Sequence, residues 1–323
     1  MAAFPNPPSA MSAVVNATLP VFALILTGWL AARARVLGPG ATDALNRYVV
    51  YLSLPALLFR AMAQARLDEL LHWGFIAAFW GGICITFAAA MLAGGLRARL
   101  ADRSIEGLAA SYANAGYMGI PLCLAVLGPA SMPPAIITTL LTACALFACA
   151  IALIEYDQHR QQHWSATLYK VGRALARNPL LIAPLAGALW AALGPALPQG
   201  LDRYVELLGA SASPCALVTI GLFLAQAQPA SGGAAVGRLV AGKLLLQPAA
   251  TAALAFGVFS MPPLWAWCAV LMSALPIGTG PFMLAQLYGR SATTTSRAIL
   301  LSTVLSVITI SALVAWIQQF HPA

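Results

Sequence analysis

Two long apolar stretches of this chain are interrupted near their centres by glycine and proline together: Asn114-Ala-Gly-Tyr-Met-Gly-Ile-Pro121 and Pro276-Ile-Gly-Thr-Gly-Pro281. Proline removes a backbone donor and collides with the preceding turn, and glycine weakens a helix interior. One such interruption is a kink. Two at matching places in two halves of a chain predict a pair of broken helices. Backbone groups freed inside hydrocarbon are tolerated only where they are buried in protein or line a cavity. The two breaks are therefore expected to face one another and form a site.

Lipid is the expected solvent. Only 8% of the 323 residues are charged, 61% are hydrophobic and the mean hydropathy is +0.83, whereas a soluble domain carries about 25% charged residues. Spans of about 20 residues fit this length ten times with short loops. The fold class expected is an all-α membrane protein of ten transmembrane helices. The spans run about 13–32, 44–62 (interrupted at Ser53-Leu-Pro55), 71–96, 104–126, 133–154, 179–197, 204–227 (with Ser213-Pro214), 239–259, 264–287 and 293–320. The longest polar stretch, Glu155 to Arg177, with Trp164 and Tyr169, could form an amphipathic surface helix.

The net charge of +8 does not mark nucleic-acid binding, because the basic residues sit in loops between apolar runs. Loops after odd-numbered spans, with Lys243 just inside span 8, hold fourteen Lys and Arg. Loops after even spans hold three: Arg60, Arg66 and Arg203. The positive-inside rule then places the odd loops in the cytoplasm and both termini outside. Met1 to Ser12 lack Lys and Arg, so a cleavable signal is not expected. The six cysteines lie in apolar stretches without Cys-x-x-Cys spacing, and His159 and His163 lack a third ligand, so neither disulfides nor a metal site is expected.

Pro20 and Pro179, and Pro55 and Pro214, are 159 residues apart; Pro121 and Pro281 are 160 apart. This spacing predicts a duplication of five spans, with residues 1–155 and 178–323 as the halves and 156–177 as the cytoplasmic connection. An odd number of spans per half makes the repeat inverted, with a site at the repeat interface near mid-membrane.

Pro121 and Pro281 suit the first position of a second half-helix, where the missing N–H costs nothing. Each half-helix start would aim free N–H groups and a positive dipole end at the centre. Two such ends make an anion site without a buried Arg or Lys, and a carboxylate is the natural ligand. Asn114 and Tyr117 supply side-chain hydrogen bonds at the first break, Ser273 and Thr279 at the second. Gly116, Gly119, Gly278 and Gly280 let backbone approach a ligand or simply let the segments cross closely. Pro276 completes the second motif. Ser53, Pro55, Ser213 and Pro214 flank the site as kinks or as sources of carbonyls. Lys243 is either functional, as intramembrane cations tend to be, or snorkels to the cytoplasmic surface.

Asn114 to Leu122 resembles the fourth-span signature of the auxin efflux carrier family. Leu52-Ser-Leu-Pro-Ala-Leu-Leu-Phe59 resembles its second span, and Ala274-Leu-Pro276 through Ala285-Gln-Leu-Tyr-Gly289 its ninth. The resemblance covers the whole chain. It implies ten spans in two inverted five-span halves, with crossing broken helices in spans 4 and 9, as in bile-acid symporters and sodium/proton antiporters. Spans 1, 2, 6 and 7 would form a scaffold and the rest an elevator-like moving part. Bacterial members are described as malate or malonate permeases, so the resemblance also implies a multi-pass protein of a bacterial inner membrane. Plant members place an Asn at the crossover in both halves; here the counterpart of Asn114 is about Ala274.

The function expected is secondary transport of small organic anions such as malonate or malate. Two alternatives stay open: a sodium/proton-type exchanger, which the lack of mid-span acids disfavours, and a non-transporting receptor. No nucleophile–base pair or metal constellation points to an enzyme. The expected partners are the bilayer and a carboxylate, with a homodimer possible. No cofactor is expected, and coupling to proton or sodium is left open.

Overall fold

The computed structural model describes residues 10–38, 40–64, 72–95, 98–158, 172–173, 176–177, 179–194, 196–226 and 233–320. The surface helix expected within Glu155 to Arg177, with Trp164 and Tyr169, falls largely outside them. So do the loop with Arg66 and most of the N-terminal run.

Among the described residues sixteen helices follow one another. They are α1 (Ala10–Arg33), α2 (Ala41–Tyr48), α3 (Leu54–Ala63), α4 (Trp73–Ala93), α5 (Leu100–Ser111), α6 (Ile120–Leu127), α7 (Met132–Leu140) and α8 (Phe147–Gln158), then α9 (Pro179–Leu193), α10 (Gln199–Ala210), α11 (Ala212–Gln226), α12 (Gly233–Ala241), α13 (Gln247–Ala252), α14 (Pro263–Ser273), α15 (Gly280–Leu287) and α16 (Thr293–Phe320). Among the described residues there is no strand, only one isolated bridge, Ala113 to Ile277. Several helices join without a break into longer rods. Five are long and apolar enough to cross a bilayer: 73–93, 129–158, 199–226, 233–258 and 293–319. α5 and α10 begin earlier than hydropathy suggests. Each carries an aspartate in the first turn, Asp102 and Asp202, where the helix dipole favours a carboxylate although the apolar pattern has not yet begun.

Among the described residues five wide π-turns interrupt the rods, and three directly precede a proline. The N–H of Leu54 donates to Val49, that of Ile120 to Ala115 and that of Gln247 to Gly242, each five residues back. Pro55, Pro121 and Pro248 follow. A proline ring would collide with the carbonyl four residues earlier and cannot donate to it. Widening the turn relieves the collision and keeps the helix going. Pro55 therefore does not interrupt its helix as expected; Ala41 to Ala63 run on through a bulge.

Outward faces of α9 and α16 are apolar and exposed, with Leu189, Leu193, Val304 and Ile308 among them. Such faces suit hydrocarbon, where burial of apolar surface no longer drives association and close backbone contact takes over. α1 lies along α11, and α9 lies along α3. A Cβ on Gly28 of α1 would stand 2.1 Å from the Val218 carbonyl oxygen, and one on Gly187 of α9 would stand 2.3 Å from that of Phe59. The two glycines are 159 residues apart, and so are the two carbonyls. The proline spacing has the same offset.

The two breaks meet in the interior. Asn114 N–H donates to the Pro276 carbonyl at 2.9 Å, and Gly278 N–H donates to the Tyr112 carbonyl at 3.0 Å. This antiparallel pair uses backbone groups that neither helix can satisfy alone. Around it lies the main apolar core, with Met118, Ile120, Leu122, Cys123, Leu271, Met272 and Leu275 all buried.

Candidate functional site

Beside this crossing lies a cavity of about 350 Å³. Residues Tyr112 to Tyr117 of the first break form one wall, and Thr279, Gly280 and Met283 of the second break form the adjoining one. Asn46, Val50, Tyr51 and Leu54 face them from α2, α3 and the bulge between. Thr139, Thr142, Phe147 and Ile151 close the side, and Arg177 stands near Pro179 and Leu180.

The first half-helix starts immediately after Asn114, with a π-turn over Ala115–Gly119 leading into α6. The Asn114 carbonyl accepts from Met118 and Gly119. The N–H groups of Ala115, Gly116 and Tyr117 precede any intrahelical acceptor, as in every helix's first turn. Asn114 stands where an asparagine normally caps such groups, yet its side chain caps none of them. It lines the cavity and is 8% exposed. An amide that caps none of the neighbouring first-turn N–H groups leaves those groups and itself able to donate to oxygen acceptors.

The second half-helix, α15, starts at Gly280 directly on the cavity. Pro281 is in its first turn, where the absent N–H is harmless. Pro121 differs. It lies beyond the π-turn, well inside the helix, because the first break falls earlier than the proline, at Tyr112 to Asn114. What marks that break is the backbone pairing with Pro276, not Pro121.

The remaining expected site residues divide clearly. Asn114, Gly116, Tyr117, Thr279 and Gly280 line the cavity. Tyr117 also donates its hydroxyl proton to Asn46 Oδ1 at 2.6 Å, which ties the break to α2. Gly119 lies against Met272 and Leu275 of the crossing segment, and Gly278 lies under the Tyr112 ring. Pro276 contributes its carbonyl to the crossing. Ser273 is buried with its hydroxyl donating to Val270. Ser53 is buried, and Pro55, Ser213 and Pro214 do not line the cavity. Pro214 belongs to the first turn of α11, where Cys215 N–H already donates to Ser211. Lys243 does not snorkel: it is fully buried, and its Nζ donates to the Ser273 carbonyl at 2.5 Å.

Sequence reading missed Asn46, Tyr112, Thr139, Thr142 and Arg177. Thr142 is 1% exposed, and its hydroxyl has no partner among the described residues. It sits in the π-turn Leu141–Leu146, which no glycine or proline announces. Arg177 adds a cation to a site expected to need none.

The chain matches the family described as "Membrane transport protein" over residues 13–314. It is 33% identical to a Rhizobium meliloti (strain 1021) protein named "Putative malonate transporter", over 96% of this chain and 97% of that one. It is 25% identical to "Auxin efflux carrier component 8" of Arabidopsis thaliana, over 85% of this chain and 89% of the relative. With a match across nearly its whole length, and with the motifs at the crossing, the chain belongs to the membrane transport protein family of the auxin efflux carriers.

Proposed function

We propose that this protein is a secondary carrier of small organic anions, malonate and malate being the leading candidates, bound at the crossing of the two breaks. The observation that carries the reading is Asn114: an N-cap residue that caps nothing and faces a cavity shared by both half-helix starts. The first-turn N–H groups favour a carboxylate through direct hydrogen bonds and through the dipole end. The Thr279 backbone and side chain and the Gly280 N–H add a second set of groups from the other half. Arg177 near the cavity adds a favourable charge for an approaching anion. The relative named for malonate supports the substrate class.

The matched pairs Gly28 with Val218 and Gly187 with Phe59 support two inverted halves, 1–155 and 178–323, and ten spans. α1, α3, α9 and α11, held together by these contacts, are the natural scaffold. The crossing helices then move as a body past it, in an elevator-type cycle. The charge distribution supports both termini lying outside a bacterial inner membrane. Uptake of labelled malonate and malate into proteoliposomes tests the reading. Saturable uptake that unlabelled carboxylates compete away is expected. No flux of any carboxylate in a panel, from a folded preparation, sinks it.

A further inference from the structure

At the crossing, among residues that do not line the cavity, the other two half-helices end. α5 stops at Ser111 and α14 at Ser273, and both serines turn their own hydroxyls back into the helix, to Gly107 and Val270. Their backbone carbonyls are taken by a single neighbouring rod. Lys243 Nζ donates to the Ser273 carbonyl at 2.5 Å, and Gln247 Nε2 donates to the Ser111 carbonyl at 3.1 Å. Residues four apart on a helix stand about 6 Å from one another, so the two C-terminal ends converge on one small region. Each end carries a partial negative charge. Thr251, one further turn along, continues the row. Lys243, Gln247 and Thr251 are all fully buried. Gln247 Oε1 and Thr251 Oγ1 have no hydrogen-bond partner among the described residues, and Lys243 has no carboxylate partner there.

The Ser273 and Ser111 carbonyl ends are oxygen donors of the kind that hold a hard cation, and Lys243 Nζ bonds the first of them directly. We propose that Lys243 is that cation, tethered to the chain: its ammonium occupies the negative pole between the two broken helices, where a free alkali ion would otherwise bind. The rod that carries it has a π-turn over Gly242–Leu246, which swings Lys243 inward instead of leaving it on the outer face. Its role is positioning, since it does not touch the cavity. By neutralising the Ser273 end, while Gln247 holds the Ser111 end, it fixes the crossing on which the first-turn N–H groups depend. The consequence for transport rests on the carrier reading above: the carrier needs no sodium ion at this place.

The test uses no organic anion, so its failure leaves the carrier reading standing. The full chain is purified in detergent, and its melting is followed in sodium, lithium, potassium or choline chloride at equal ionic strength. The wild-type chain is expected to melt alike in all four. Lys243→Ala and Lys243→Gln are expected to melt lower in choline and to regain at least half of the loss in sodium or lithium. Stabilisation of the wild type by sodium over choline would overturn the proposal. So would folded variants that respond to no alkali ion. Failure of both variants to accumulate in sodium-containing medium would also overturn it, because a mobile ion should substitute for the tethered one.

Discussion

The two breaks share a backbone pairing, but they are built differently. The first projects side chains: Asn114 and Tyr117 into the cavity, and the Tyr112 ring across to its partner. The second is hollowed to receive them. A Cβ on Gly278 would lie 2.9 Å from Tyr112 Cε1, and one on Gly280 would lie 2.6 Å from Cζ. The glycines of the second break therefore make room for a ring of the first, while Gly116 of the first has only the flexible ends of Leu54 and Thr139 before it, at 3.3 and 3.6 Å. In the proposed function the first break is the reader, and the second is its socket.

The largest effect that this difference predicts is at the socket. Gly280→Ala forces the Tyr112 ring out of its place, and overpacking of this kind costs about 1–3 kcal/mol. A lower melting temperature and a strong loss of uptake are expected. The paired variant Tyr112→Ala with Gly280→Ala should recover much of the stability, as a double-mutant cycle on contacting residues does. Gly116→Ala, by contrast, should fold normally. Equal damage from Gly116→Ala and Gly280→Ala would erase the distinction between the two breaks.

Next in size is the reader. Asn114→Ala removes a side-chain amide at the cap position of the first half-helix that caps none of its N–H groups. A lost hydrogen bond to a charged ligand is worth about 1.5–3 kcal/mol, so uptake at low substrate should fall by roughly ten-fold or more. Folding should be intact, because the Asn114 backbone bonds to Pro276, Met118 and Gly119 remain. A concentration series of uptake by the variant, set beside its melting curve, separates the two. If uptake of every carboxylate tried is unchanged, the first break is not the reader.

Much of this was legible in the residues, and the reasons differ by feature. Gly and Pro together inside an apolar run have few explanations, so both breaks and their mutual approach were readable. The roles within them were not. Pro121 and Pro55 looked like breaks, but a π-turn absorbs each, and nothing in a string of apolar residues distinguishes a broken helix from a bulged one. Gly278 and Gly280 looked like ligand contacts or crossing points; their service to Tyr112 depends on a residue 166 and 168 positions away. Lys243 was visible as an anomaly, yet only the inward turn of its rod decides between burial and snorkelling. Thr142 and Asn46 were invisible, since a Thr or Asn in a span is ordinary until its neighbours are known.

The smallest predicted effect is at Thr279, and it bears most directly on the asymmetry. Thr279 lines the cavity from the socket side, and its carbonyl already accepts from Met283 N–H at 3.1 Å. Thr279→Val keeps the shape and the carbonyl and removes only the hydroxyl. If the second break offers a ligand mainly backbone, the loss is that of one neutral hydrogen bond, about 0.5–1.5 kcal/mol, or a few-fold in half-saturating substrate concentration. Maximal flux and melting should be unchanged. A loss as large as that of Asn114→Ala would mean that the ligand is gripped equally from both halves. The proposed repeat would then extend to the function of the two breaks, and the absence of an asparagine near Ala274 would have been compensated by a threonine five residues on.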